Sequence, residues 1–101
     1  VFVNPPYGRK LRLWSKKTAE EAQKAAKAGS NTEIIFLGPA RTDTKFFQED
    51  ICPTASKVLL WRGRITFEGA KAPALFPSFL AYWGPNVDRF MIAYLGKGWF
   101  M

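Results

Sequence analysis

Asn4-Pro5-Pro6-Tyr7 directly follows Val1-Phe2-Val3, three apolar residues that read as the end of a strand. A polar amide, two ring-stiffened residues and an aromatic ring at a strand's carboxyl end make a poor core. They make a good pocket for a flat base carrying an exocyclic amine. If the strand is a central parallel one, these residues stand beyond its carboxyl end, where open α/β sheets bind ligands. The side-chain oxygen of Asn4 can accept one proton of such an amine, and the Pro5 carbonyl can accept the other. Two acceptors in tetrahedral placement draw the nitrogen lone pair out of conjugation with the ring. A weakly nucleophilic aryl amine needs that before it can attack a methyl group. Tyr7 would lie against the base, a stack worth roughly 1–3 kcal/mol. Pro5 and Pro6 hold the acceptors still, so little reorganisation accompanies reaction. The same four residue types also suit a plain turn after a strand. Their place ahead of a basic segment and an amphipathic helix favours a site.

The elements that would position these residues follow in order. Pro5 and Pro6 stop the first strand, since neither donates a ladder hydrogen bond. Leu11 to Ala28 read as a helix, with Leu11, Trp14, Thr18, Ala22 and Ala25 on one face and an alanine content that favours helix. Gly29 suits the position just past its end, and Lys24 and Lys27 suit its carbonyl terminus. Ile34-Ile35-Phe36-Leu37 has no alternation, as expected of a strand buried on both faces of a parallel sheet. Thr42 or Asp43 is placed to cap a short helix through Phe46 and Phe47. Two adjacent aromatics are not expected to point inward together from so short a helix. Val58 to Trp61 and Leu80 to Trp83 read as strands, and Gly63 divides the former from Ile65-Thr66-Phe67. Phe90 to Leu95 is strand or helix; the pattern does not decide. Trp14, Trp61, Trp83, Phe36 and Phe67 occupy core-like positions.

Strand, helix, strand, short helix, then strands describe half of an α/β sheet. Such a piece, open on one side, would associate with a missing segment, a partner chain or itself.

The 101 residues are enough for one modest domain or a piece of a larger one. An apolar content of 48% calls for a core rather than disorder. No run approaches the roughly 18 apolar residues of a membrane span, and no signal peptide is visible, so a cytoplasmic protein is expected. Cys52 has no internal disulfide partner, and with histidine absent no zinc or other metal site is expected. Fifteen Lys and Arg against eight Asp and Glu leave a net charge of +7, which attracts polyanions at long range. Arg9, Lys10, Arg12, Lys16 and Lys17 come before any acidic residue. Arg9, Lys10 and Arg12 are the leading phosphate candidates. Arg41 and Lys45 reach DNA phosphate or the pocket rim, or are solvated loop residues, and Arg64 makes either a buried ion pair or a phosphate contact.

The chain resembles the phage-type DNA adenine N6-methyltransferases, relatives of Dam. Val1-Phe2-Val3-Asn4-Pro5-Pro6-Tyr7-Gly8 fits their Asp/Asn-Pro-Pro-Tyr/Phe motif, and Trp14 with Lys17 resembles their tryptophan–lysine helix. Pro39-Ala40-Arg41-Thr42-Asp43-Thr44-Lys45-Phe46-Phe47 resembles their Pro-Ala-Arg-Thr-Asp-Thr segment. Gly63-Arg64-Ile65-Thr66-Phe67, then Pro77-Ser78-Phe79-Leu80 with Trp83, resemble later stretches, so the likeness covers about residues 1–84. It implies a partial Rossmann-like methyltransferase fold with a mostly parallel sheet. Residues 1–101 would form the carboxyl-terminal portion of one catalytic domain whose amino-terminal half is absent. It implies S-adenosylmethionine as donor and adenine in double-stranded DNA as acceptor, the base flipped out at a cost of a few kcal/mol. Asn4 and Pro5 would hold the amine, with Asn4 also bordering the donor; Pro6 would stiffen the turn and Tyr7 would stack. Asn4 replaces the commoner Asp, keeping the acceptor oxygen and losing the charge. The family's glycine-bearing donor loop and its acidic partner would lie upstream of Val1, so the isolated chain is expected to be inactive. The competing readings are a DNA-binding module without catalysis and an interaction fragment acting through its sheet edge.

Overall fold

The computed structural model describes residues 1–6, 8–66, 69 and 76–101. Tyr7 and Phe67 therefore lie outside the described residues. The elements are β1 (Phe2–Val3), α1 (Leu11–Lys27), β2 (Ile34–Pro39), a π-helix (Phe46–Ile51), β3 (Lys57–Trp61), β4 (Ser78–Trp83), α2 (Val87–Ala93) and β5 (Gly98–Phe100). The architecture is α/β, as expected.

The five strands form one sheet in the order β1-β2-β4-β3-β5. It is mixed, which corrects the expectation of a mostly parallel sheet. Only β1 and β2 pair in parallel, with Phe2 opposite Ile35. β4 inserts between β2 and β3 and runs antiparallel to both, and β5 runs antiparallel to β3. It follows that β1, β2 and β3 all point the same way. Their carboxyl ends at Val3, Pro39 and Trp61 share one rim of the sheet.

Burial on both faces explains the non-alternating apolar strands. Phe36, Phe79, Ala81, Trp83 and Val58 face α1 and the π-helix. Leu37, Leu59, Leu80 and Tyr82 face α2 through Phe90. Tyr82 and Phe90 stack at 4.9 Å; of the stretch Phe90–Leu95, Phe90 to Ala93 belong to α2, so it is mainly helical rather than a strand. Gly38 lies within β2, opposite Phe79, where a Cβ would sit 2.9 Å from the rings of Phe36 and Phe79. Ile65 and Thr66 form no strand.

α1 ends as its sequence indicates. Gly29 takes φ +68°, its N–H bonds to the Ala26 carbonyl, and the Ser30 N–H bonds to the Ala25 carbonyl, the paired closure that a left-handed residue permits. Its buried face differs from expectation. Leu11, Ser15, Thr18, Ala19 and Ala22 are buried, whereas Trp14 is 46% exposed. The helix is turned so that Ser15 meets a polar partner below it.

The short helix after β2 also differs. Neither Thr42 nor Asp43 caps it; both are exposed, and Lys45 occupies the cap position without a side-chain bond. The Cys52 N–H reaches back five residues to the Phe47 carbonyl, a wide π turn that rotates the chain less per residue than an α turn. Adjacent residues can then share a face. Phe46 and Phe47 are both buried and flank Phe79, one stacked at 6.2 Å and the other edge-on at 5.1 Å.

Candidate functional site

Because three strands end on one rim, the segments that leave them lie along it, those of β1 and β2 side by side and that of β3 beyond β4. Residues 4–10 leave β1, residues 40–45 leave β2 and residues 62–66 leave β3. These segments carry Arg9, Lys10, Arg41, Lys45, Arg62 and Arg64 against one acid, Asp43. The Arg62 N–H bonds to the Lys97 carbonyl, which brings a further cation to the same end. The net charge is therefore concentrated at the carboxyl rim.

A cleft of about 420 Å³ opens there, lined by Gly8, Arg9, Leu11, Arg12, Pro39, Arg41, Thr44, Lys45 and Phe46. Four of the six cations singled out for nucleic acid thus share one concavity. Lys10 adjoins it as the residue before α1. Arg64 follows β3, is exposed and does not line it.

The four lining cations are not equivalent. Arg12 is engaged: its Nε lies 2.7 Å from Asp50 Oδ2 and its Nη2 lies 3.5 Å from Glu49 Oε1. The Arg12–Asp50 contact is ionic rather than a directed hydrogen bond. Asp50 is held in turn by Ser15, whose hydroxyl donates to the same carboxylate oxygen at 2.7 Å. This triad, in which Ser15 and Asp50 are buried and Arg12 is partly exposed, fastens α1 to the π-helix and so sets one wall of the cleft against the other. Arg41 is held differently, its guanidinium carbon 4.1 Å from the centre of the Phe76 ring, a cation–π placement. Its segment is braced where the Thr44 hydroxyl donates to the Arg41 carbonyl at 2.6 Å and the Ala40 N–H to Pro77 at 2.7 Å. Among the described residues, no carboxylate pairs with Arg9, Arg41 or Lys45.

Asn4 leaves β1 towards this rim with its side chain exposed, Pro5 is buried and Pro6 is exposed. Among the described residues, neither the Asn4 amide nor the Pro5 carbonyl has a hydrogen-bond partner. Two adjacent acceptors are therefore uncommitted beyond the end of a parallel strand. The side chain of Tyr7, expected to stack on a base, lies outside the described residues.

Ser15, Asp50 and Phe76 were missed as site residues. Ser15 and Arg12 are three apart on one helix, but nothing local marks Asp50, 35 residues further on, as their partner. A second concavity of about 600 Å³ lies between α1 and the outer edge of β1, lined by Val1, Val3, Trp14, Thr18 and Ile34 among others. Among the described residues no group of His, Cys, Asp and Glu could hold a metal ion, and no helix is long and apolar enough to cross a membrane. Cys52 is exposed, and desolvation pushes its thiol up from the ordinary value, towards the unreactive protonated form.

Comparison with known proteins returned no relative: no family model, no curated protein and no solved structure matches the chain.

Proposed function

We propose that this chain is the amine-holding, DNA-facing part of a DNA adenine N6-methyltransferase of Rossmann-like build. The single observation that carries the reading is the unpaired Asn4 side chain and Pro5 carbonyl, set beyond a parallel strand on the rim that also bears the basic cleft. On this reading a flipped adenine presents its N6 amine to the two acceptors. The backbone around it is drawn in by Arg9, Lys10, Arg41, Lys45 and Arg64, with Arg12 acting through the cleft wall. Fixed acceptors aimed at the reacting amine need no reorganisation when charge develops on it.

The donor required is S-adenosylmethionine, and the cleft does not fit it. The described lining carries four cations and no carboxylate, while the donor brings a sulfonium and an ammonium group against a single carboxylate and is positive overall. Like charges disfavour it there. On this reading the donor is held by groups other than the cleft residues.

The misfit supports a second reading, a DNA-binding module without catalysis. One experiment separates the two: transfer of radiolabelled methyl from S-adenosylmethionine to adenine-containing duplex DNA by the intact protein, beside Asn4→Ala. Loss of about 100-fold or more in transfer, with duplex affinity held within about threefold, supports the acceptor role. Undiminished transfer by Asn4→Ala refutes it. Salt-sensitive duplex binding with no transfer by the unaltered protein assigns the second reading.

A further inference from the structure

The cleft between the segments that leave β1 and β2 has features that nucleic-acid attraction in general does not require. A diffuse basic surface keeps its cations apart and mobile. Here two loops converge on a concavity of about 420 Å³, roomy enough for a phosphate with part of its sugar. Three of its cations have no carboxylate partner among the described residues. One of them, Arg41, has its planar fork laid over Phe76. A stacked guanidinium has already lost much of the freedom that ligand binding would remove, and its donors match a phosphate edge.

The backbone adds a second contribution. α1 is 17 residues long and starts at the cleft, where Gly8, Arg9, Leu11 and Arg12 are lining residues. Its start has no side-chain cap and its first turn contains no acidic residue. The Leu11 N–H is taken by the Gly8 carbonyl at 3.1 Å, which leaves the N–H groups of Arg12 and Leu13 without an acceptor among the described residues, at the end of the helix where the dipole favours an anion. Arg12, the fourth cation, is neutralised by Asp50 and Glu49 and serves as a wall rather than a contact.

We propose that this cleft is a discrete phosphodiester subsite, in which Arg9, Arg41 and Lys45, with the first-turn amides of α1, hold one backbone phosphate of a nucleic-acid strand. It rests on the reading that this rim meets nucleic acid and adds a single saturable anion position on the rim towards which Asn4 leads. One phosphate gripped here sets the reach of the adjoining nucleotide towards the acceptors.

The test is a titration of the full ¹⁵N-labelled chain followed by amide resonances, at constant ionic strength. The probes are inorganic phosphate, a dinucleoside monophosphate and the nucleoside alone. The expected result is saturable shifts confined to residues 8–12 and 39–46, with the dinucleoside monophosphate tighter than inorganic phosphate and the nucleoside without effect. Arg41→Ala and Lys45→Ala should each weaken binding by roughly three- to tenfold, and Lys57→Ala, on β3, should leave it unchanged. Non-saturating shifts, shifts spread over the whole basic surface, or an Arg41→Ala variant that binds as before would overturn the subsite. So would saturation by inorganic phosphate with no response to the dinucleoside monophosphate. The two readings fail separately. Asn4-dependent methyl transfer without a saturable phosphate position removes the subsite alone, and a saturable position without methyl transfer removes the catalytic reading alone.

Discussion

Replacing Asp50 with Ala tests whether the triad of Arg12, Ser15 and Asp50 holds the cleft together. The carboxylate is 7% exposed and touches both Arg12 Nε and Ser15 Oγ at 2.7 Å. Without it the Ser15 hydroxyl keeps only the Arg12 carbonyl at 3.1 Å, and the guanidinium keeps only Glu49 at 3.5 Å. Breaking a fully buried ion pair costs about 3–5 kcal/mol. Arg12 is 35% exposed, so water recovers part of that, and about 1–2 kcal/mol is the appropriate share. The lost hydrogen bond adds about 1 kcal/mol. The expected loss is therefore about 2–3 kcal/mol, which at a slope of about 1.5 kcal/mol/M lowers the urea midpoint by roughly 1.3–2 M. Asp50→Asn keeps an acceptor for Ser15 and should lose about half as much. A Ser15→Ala, Asp50→Ala cycle should show coupling of about 1 kcal/mol. The perturbation also has a functional sign. Freeing Arg12 adds a cation to the rim, so the salt dependence of duplex binding by Asp50→Asn should steepen by up to about one unit. A loss below about 0.5 kcal/mol in Asp50→Ala, the range of an ordinary surface change, would refute the argument.

Two further outcomes follow from other sites. Trp14→Ala should cost only about 1 kcal/mol by urea unfolding, because the ring is 46% exposed; a loss in the 3–5 kcal/mol range of a buried tryptophan would place it in the core. The hydroxyl of Tyr82 donates to Glu33 at 2.5 Å, and this bond holds the Glu33 carboxyl below its ordinary 4.5, while desolvation first and then Glu33 raise Tyr82 above 10.0. The Glu33 contribution is present above pH 4.5 and is lost as pH falls through the depressed folded value. The Tyr82 contribution is present below pH 10.0 and is lost as pH rises through the raised one. Urea midpoints measured against pH should therefore differ less between Tyr82→Phe and the unaltered chain at both extremes than at neutrality; a constant difference would show that the bond has no part in either limb.

The features legible in the sequence were those set by local chemistry. The extent of α1 and its Gly29 closure follow from alanine content and one glycine with φ +68°. β2, β3 and β4 announce themselves as apolar runs. Strand direction does not, because a strand apolar on both faces reads alike in either sense. The place of β4 between β2 and β3 depends on the path of the chain after Trp61, which no periodicity records. Trp14 misled for a related reason. Apolar spacing favoured its face, but the interface was won by Ser15, whose partner Asp50 comes from another element. Phe46 and Phe47 misled because the expectation assumed an α turn where the chain makes a π turn. At the site, the basic residues were visible one by one. Their convergence was not, since Arg9 and Arg41 meet only when two parallel strands end side by side.

The basic rim also bears on the residue at position 4. A carboxylate there would share the rim with Arg9, Lys10, Arg41 and Lys45 and would be drawn to any of them within reach, since charge pairs near a protein surface interact several times more strongly than in bulk water. Once paired, its lone pairs would be turned from an incoming amine. An amide has the same acceptor oxygen and no net charge, so it does not draw the cations away from phosphate, and Asn4 indeed has no partner among the described residues. On the proposed reading, the neutral acceptor and the basic cleft are two parts of one solution. Charge is assigned to the strand's backbone, and a neutral lone pair is kept for the base. The cost is that an amide takes up a proton far less readily than a carboxylate, so on this reading residue 4 does not receive the proton released on methylation.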